Sequence, residues 1–408
     1  MTNPPTQNWL ILTQYYPPEI GAPQIRLSSM IQELTKHNIN ASVLTAMPNY
    51  PKGKLFEGYK NKLVKTEKFN GIPVKRTWVY AATGKSAIPR LLNYLSFTLT
   101  ASIAALTGPK PDVIFLESQP LSLGVVALLM KWIRNVPYIY NIPDLQIEVA
   151  TQMNFIGNKT FLQLSSKLET LLMKQSWKVS TVTEAFMKYI SESNGISPKK
   201  ITFLPNGADT NFLTPKSPNQ NFLSKWGIGN KKVFLYVGTH AFYHGLDVII
   251  ETASLLKDNQ DIVFLMVGEG PERKRIIEKA NSLKLNNILF KQSPYNEMAD
   301  LYSIAYASIA CLKNINVANQ MRLSKIFPSL SCKVPVIYSG KGEAANIISS
   351  NNCGIAVEPE NPSELSKAIL YLSGNENYRN ELGQSGRNMV KKSYSWETII
   401  NKWIKQLA

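Results

Sequence analysis

The sequence predicts an α/β fold of two doubly wound, Rossmann-like domains facing each other across a cleft. Three observations predict it. The chain has 408 residues, more than the roughly 250–300 at which a single hydrophobic core stops growing. Short apolar strands alternate with helix-length amphipathic segments, the pattern of βαβ units and parallel sheet. The alternation breaks once, in the turn-rich stretch from Pro205-Asn206-Gly207 to Pro215-Lys216-Ser217-Pro218, and then restarts. An N-terminal domain over 1–205, a C-terminal domain over 206–385 and closing helices over 386–408, packing back toward the first domain, follow from that reading. In such sheets ligands bind beyond the carboxyl ends of the strands, so the expected site is the cleft.

The elements read in order. Trp9–Thr13 is a strand; it runs into the proline-rich turn Tyr16–Pro23, and a helix follows from about Gln24 to Lys36. Ala41–Leu44, Asp112–Leu116 and Tyr138–Tyr140 are strands, Leu121–Arg134 and Asn158–Gln175 helices, and Val179–Val182 and Ile201–Leu204 closing strands. The second domain opens with strand Lys232–Val237, loop Gly238–Gly245 and helix Leu246–Leu256. Strand Ile262–Val267, turn Gly268–Gly270 and helix Pro271–Leu283 repeat the unit, with Pro271 suited to a first helical turn that does not need its N–H. Asn287–Phe290, Ala307–Cys311 and Val334–Ile337 are strands. Pro362–Leu372, Glu376–Lys392 and Ser395–Leu407 are helices, the last anchored by Trp396 and Trp403.

Composition narrows the function classes. Lys and Arg number 45 against 28 Asp and Glu, a net +17, of which +11 falls in residues 1–205. A basic run (Lys52, Lys54, Lys60, Lys62, Lys65, Lys68, Lys75, Arg76) suits a polyanion or an anionic membrane surface; a solvated basic face is the plain alternative. No zinc-finger spacing, recognition helix or aromatic-spaced single-strand motif supports nucleic acid as a partner. The three cysteines Cys311, Cys332 and Cys353 are scattered, which implies neither a metal site nor a disulfide framework and fits a reducing cytoplasm. The polar start, Met1 to Asn8, does not read as a signal peptide. Leu91–Pro109 carries no charge, and its Asn, Ser and Thr content argues against a spanning helix. With Lys85 and Arg90 at its head it reads equally as a helix lying on a membrane interface or as a buried helix.

Chemistry concentrates at the strand ends. Gly238-Thr239-His240-Ala241-Phe242-Tyr243-His244-Gly245 joins a strand to a helix, whose free N–H groups and dipole favour a phosphate. Val267-Gly268-Glu269-Gly270-Pro271 is a second such turn, and neither has the G-x-G-x-x-G of a hydride-transfer enzyme. In the window 320–343, Arg322, Lys325 and the turn Gly340–Gly342 can gather round an anion. In the first half, Glu117 at a strand end is a candidate base for an acceptor hydroxyl, and Asp144 is either a cleft carboxylate or a helix N-cap.

These residues together resemble the retaining GT-B glycosyltransferases of family 4. Tyr15-Tyr16-Pro17-Pro18-Glu19-Ile20-Gly21-Ala22 with Arg26 resembles that family's first loop, which lies against acceptor and donor phosphate. Leu204-Pro205-Asn206-Gly207-Ala208-Asp209 with Phe212 resembles its "PNGVD…F", Val267–Pro271 its "VGxGP", Pro335-Val336 its "G-x-PV", and Gly354, Val357 and Pro359 its "GxxVxP". The start of the chain and the Ser324-Lys325 pair are most similar to bacterial transferases of capsule, colanic-acid-type and O-antigen polysaccharide.

The resemblance implies transfer of a sugar from a nucleoside diphosphate donor to a glycan or polyprenyl-diphosphate-linked acceptor, without cofactor or essential metal. It places such a protein in the cytoplasm, peripheral on the inner face of the plasma membrane. Arg322 and Lys325 would hold the leaving diphosphate, with Asp144 beside the reacting groups. Gly238, Thr239, His244, Gly268, Gln320, Ser324 and Glu343 would line the donor site, and Gly21, Ala22, Arg26, Glu117 and Glu148 the acceptor site. Asn141-Ile142-Pro143-Asp144-Leu145-Gln146-Ile147-Glu148 resembles a "D-L-W-P-E" element. The departures are specific. Thr239 and His244 stand where the family has an Arg and a Lys, and Gln320 and Pro328 where it has two Glu. A relative with a decayed donor site that binds lipid-linked glycan or proteins, and a nucleotide-sugar epimerase, are the competing readings.

Overall fold

The structure, a computed structural model, describes residues 6–19, 21–50, 53–81, 87–152, 158–315 and 323–407. The chain divides into two compact units, Met1–Pro205 with Ile400–Ala408, and Asn206–Ile399. Each is an α/β unit, the first built on a mostly parallel sheet and the second on a fully parallel one.

The first unit holds strands β1 (Gln7–Leu12), β2 (Ile39–Ala46), β3 (Val64–Phe69), β4 (Ile72–Thr77), β5 (Val113–Glu117), β6 (Tyr138–Ile142), β7 (Lys178–Thr181) and β8 (Ile201–Phe203). They form one sheet in the order β3-β4-β2-β1-β5-β6-β7-β8. Every residue of β5 and β6 is buried, and apart from Glu117 and Asn141 near their carboxyl ends both are apolar runs, as a parallel sheet covered on both faces requires. The basic stretch Lys52–Arg76 is more than a charged face. Its second half is the antiparallel hairpin β3–β4, turned at Asn70 (φ 47°) and Gly71 (φ 81°), two consecutive left-handed residues of the kind a two-residue hairpin needs. Arg76 is fully buried there; its Nε donates to Glu67 Oε1 at 2.5 Å and its other nitrogens to the carbonyl oxygens of Ala46 and Pro17, so the buried charge is compensated.

The helix Ala87–Thr107 is buried along one side, as the buried-helix reading expects, and exposed along another. Phe97, Ala101, Ala104 and Ala105 are buried, whereas Ile88, Leu91, Leu92, Leu95, Leu99 and Ile103 stand exposed at helical spacing. Among the described residues no helix is long and apolar enough to cross a membrane.

The second unit holds β9 (Lys232–Val237), β10 (Ile262–Val267), β11 (Ile288–Lys291), β12 (Ala305–Cys311), β13 (Val336–Ser339) and β14 (Gly354–Val357), in the order β11-β10-β9-β12-β13-β14, all parallel. Val237 pairs with Val267 and Cys311 with Ser339, so the loops after four strands leave from one carboxyl edge. The helix after β10 starts at Arg273, leaving Pro271 in the turn ahead of it rather than in the first helical turn.

The closing helices divide differently from the expected boundary at 386. Residues up to Ile399 stay with the second unit, because the stretch Val390–Tyr394 is held there. Ala208 N donates to Tyr394 O at 2.9 Å and Tyr394 stacks on Phe327 at 4.4 Å. Residues 400–408 join the first unit. Trp403 is completely buried, edge-on to Trp9 (6.0 Å) and Phe115 (5.7 Å), and its indole N–H reaches Ser180 Oγ at 3.0 Å and Thr202 Oγ1 at 3.1 Å. Gln406 Oε1 accepts from Phe203 N at 2.8 Å on the edge strand β8. Trp403→Ala should therefore cost about 3–5 kcal/mol, read as a lowered urea midpoint, with Trp403→Phe losing less; an unchanged midpoint for the alanine variant would show that the last helix does not brace the first unit.

Candidate active site

Three glycines at the carboxyl edge of the second sheet fix the site's backbone. Gly238, Gly268 and Gly270 have φ of 144°, 145° and 154°, a region that side chains exclude. A Cβ on Gly268 would lie 2.0 Å from the carbonyl oxygen of Gly238, and one on Gly270 2.4 Å from that of His240. The loops after β9 and β10 are laced together: Gly238 N donates to Val267 O (2.9 Å), His240 N to Glu269 O (2.7 Å) and Glu272 N to His240 O (2.9 Å). A Cβ on Gly238 would meet Lys325 Cε at 2.4 Å, so the missing side chain is what lets Lys325 lie across the turn.

Lys325 stands immediately before the helix Ile326–Ser331. Its Nζ donates to Tyr236 Oη at 2.7 Å, sits 2.8 Å from His244 Nε2, and lies 4.6 Å from the centre of the Tyr236 ring. The Tyr236 hydroxyl hydrogen goes to Thr239 O at 2.7 Å, which leaves its oxygen as acceptor. Among the described residues no carboxylate forms an ion pair with Lys325. Burial without a counter-ion lowers its ammonium to about 7. Burial, then the charge of Lys325, holds buried His244 well below the usual histidine range; its ring packs 4.4 Å from that of Tyr243. His240 is fully buried, neither ring nitrogen has a partner among the described residues, and burial followed by Lys325 and Arg273 lowers it to about 4. The place is short of negative charge and built on backbone, which suits an anion.

Of the expected donor residues, Gly238, Thr239, His244 and Gly268 thus come together with Lys325. Thr239 is exposed, Ser324 beside Lys325 is partly exposed, and Glu343 opens the helix Glu343–Ser350 from the same sheet edge, after β13. Pro328 lies inside the helix Ile326–Ser331 and offers no polar side chain. Gln320 and Arg322 lie outside the described residues. His240 was not among the expected residues; its only sequence signal is its place two residues past a strand-end glycine.

The first unit corrects two expectations. Arg26 and Glu117 form a buried ion pair at 2.6 Å, and Asn141 Nδ2 donates to the other Glu117 oxygen at 2.9 Å. Burial raises Glu117 while Arg26 and Asn141 oppose it. With those partners, Glu117 is 4% exposed; it braces the strand ends rather than offering a base to an acceptor, and Arg26 is its counter-ion. Gly21 precedes the helix Ala22–Thr35 in extended backbone. Asp144 is exposed beyond β6. Glu148 accepts from Tyr189 Oη at 2.7 Å and lines, with Leu145, Ser166, Glu169 and Tyr189, a cavity of about 260 Å³. An unexpected carboxylate, Glu19, is 2% exposed and accepts from Asn49 N and Tyr50 N at 2.8 Å each; burial lifts it to about 7.

Gly268→Ala is predicted to destabilise the second unit by more than the about 1–3 kcal/mol of backbone strain alone, because its methyl group falls on Gly238 O. Gly229→Ala, at φ 63° with nothing within 4 Å of its Cβ, should show only about 1–2 kcal/mol. Equal losses in thermal unfolding would refute the close approach.

The comparisons with known proteins agree with this geometry. The glycosyl transferase 4-like domain family matches residues 21–207, and the family of glycosyl transferases group 1 matches residues 219–389. An uncharacterized glycosyltransferase of Methanocaldococcus jannaschii is 21% identical over 97% of both chains. An Escherichia coli protein named as a colanic acid biosynthesis glycosyl transferase is 25% identical over 67% of this chain and 69% of its own. The structure of Anabaena HepE in complex with UDP-glucose superposes with a TM-score of 0.74 at 16% identity, covering 98% of this chain and 99% of that one. With two consecutive family matches spanning both units, and the glycine-edged strand ends in place, the chain belongs to the GT-B glycosyltransferases of family 4.

Proposed function

We propose that this glycosyltransferase moves a sugar, with retention of configuration, from a nucleoside diphosphate donor to a glycan or polyprenyl-diphosphate-linked acceptor in bacterial surface polysaccharide synthesis. The observation that carries the donor assignment is Lys325: a cation with no carboxylate among the described residues, lying across Gly238 beside a backbone turn. Thr239 N, unlike Gly238 N and His240 N, makes no hydrogen bond among the described residues, so it is available to a phosphate oxygen. The leaving diphosphate gains charge as the glycosidic bond breaks, and a preorganised ammonium and N–H lower that barrier. Lys325 thereby takes the part that the resemblance gives to a loop lysine, whose place His244 occupies. The UDP-glucose in the HepE structure and the colanic acid name of the E. coli relative support the substrate class. Lys, backbone and helix ends meet the diphosphate charge in this reading, without a metal.

Pro328 favours a second reading, a donor site that no longer grips the ribose. Calorimetry with UDP- and GDP-sugars separates the two. Donor binding is expected, weakened by about 1.5–3 kcal/mol in Lys325→Ala; no binding at millimolar donor by the folded protein would favour the decayed site.

The exposed stripe Ile88, Leu91, Leu92, Leu95, Leu99 and Ile103 supports a peripheral seat on the cytoplasmic membrane face. Exposed Trp132 and Ile133 continue it on the adjacent helix Leu123–Arg134. The basic excess of the same unit suits anionic lipid. Leu95→Ser with Leu99→Ser should release the protein from vesicles containing phosphatidylglycerol; full retention would argue against that seat. Phe97, fully buried, has no part in it.

A further inference from the structure

We propose that donor binding is coupled to proton uptake: in the empty site Lys325 and His244 share one dissociable proton, and a nucleoside diphosphate sugar draws in another. The inference deepens the donor-site reading above and rests on it.

Lys325 Nζ and His244 Nε2 are 2.8 Å apart. At that distance one nitrogen carries the hydrogen and the other presents its lone pair. An ammonium and an imidazolium pointing N–H at N–H would repel, so the pair as arranged excludes the doubly protonated state. Among the described residues no carboxylate pairs with Lys325 to restore that state. Tyr236 faces the pair from β9 and Cys311 from the end of β12. Burial keeps both neutral, the thiol raised to about 12 and the phenol well above its usual range. Tyr243 packs on His244, and His240, Arg273 and Lys313, which lies against the Gly245 turn, are further titratable and charged neighbours among the described residues. Glu269, on the adjoining turn, lies 3.5 Å from Arg273 rather than against Lys325. Among the described residues, then, no negative charge holds a second proton.

A diphosphate diester changes that balance. Its oxygens only accept, and it carries negative charge at every pH of interest. Both nitrogens can then turn their hydrogens toward it, Lys325 from Nζ and His244 from Nε2, once both are protonated. The Cys311 backbone lies near enough to His244 to favour a charged ring, though no hydrogen bond to Nδ1 meets the geometry in the empty site. The proton comes from solvent, and no bond to carbon is made or broken in this step.

The sign follows from linkage. A group whose pKa is low in the empty site and raised in the complex favours binding at low pH and disfavours it as pH rises through its empty-site value. Lys325 sits at about 7, so donor affinity should fall from neutrality upward, by about tenfold per pH unit for each proton taken up. A pair that takes up no proton on binding would give a flat profile over the same range.

The test is calorimetry of UDP-glucose, whose diphosphate does not titrate in this range, into the whole chain at pH 8 in HEPES and in Tris. The observed enthalpy should differ between the buffers by an amount that corresponds to uptake of about one proton or more, and Kd should rise at least about tenfold per unit between pH 7 and 9. His244→Gln keeps a neutral hydrogen-bonding side chain and should lower the proton count. Ring resonances of His244 followed by NMR in the wild-type chain should show the imidazolium only with donor bound. Binding with no buffer dependence and a flat Kd overturns the coupling and leaves the donor reading standing; a folded chain that binds no nucleotide sugar overturns both.

Discussion

The close approach of two glycine backbones governs the second unit. Because Gly268 lies against the carbonyl of Gly238, the loops after β9 and β10 are fixed to each other before any side chain is considered. That lacing buries His240 and sets the position of the Gly238 turn. The absence of a side chain at Gly238 then lets Lys325 cross the turn and reach Tyr236 and His244. Backbone sterics come first, the placement of a cation second, and the electrostatics of the site third. A lysine held this way has few rotamers left to lose when it meets a ligand, which is the benefit of preorganisation.

The two units handle buried charge in opposite ways. In the first, Arg26 and Glu117 neutralise each other and Arg76 pairs with Glu67, while the buried carboxyl of Glu19 is held by backbone N–H groups. Such pairs favour a single arrangement of the chain more than they add stability. In the second, Lys325 has among the described residues a tyrosine oxygen and an imidazole nitrogen as hydrogen-bond partners and no carboxylate. A buried cation without an anion is costly, and the fold tolerates it where a ligand can supply the missing charge. The contrast supports the proposal that the second unit receives the anionic donor.

The alternation of apolar runs and glycine turns made both sheets and their break near residue 205 legible, because parallel strands buried on both faces must be apolar throughout. The glycine turns were legible for the same kind of reason: only glycine fits where backbones touch. Other features were carried by residues whose partners lie far away in sequence. Glu117 reads as a strand-end carboxylate until Arg26 is seen beside it, 91 residues earlier. Tyr394 reads as a residue between two closing helices until its carbonyl is seen to accept from Ala208 N. The hairpin β3–β4 was readable from Asn70-Gly71 between residues of alternating burial, but the density of lysines masked the period. His240 carried no motif at all. The meeting of His244 with Lys325, 81 residues apart, explains how a chain lacking the family's loop lysine can still place an ammonium at that spot.

The most direct test of this account is a crystal structure with UDP-glucose or a GDP-sugar bound. The account predicts a diphosphate oxygen within about 3 Å of Lys325 Nζ, with Thr239 N and His244 donating to the same group and the glycine turns unmoved. A donor whose phosphates lie away from the Gly238 turn, with Lys325 still bonded to His244 and Tyr236 alone, would contradict it.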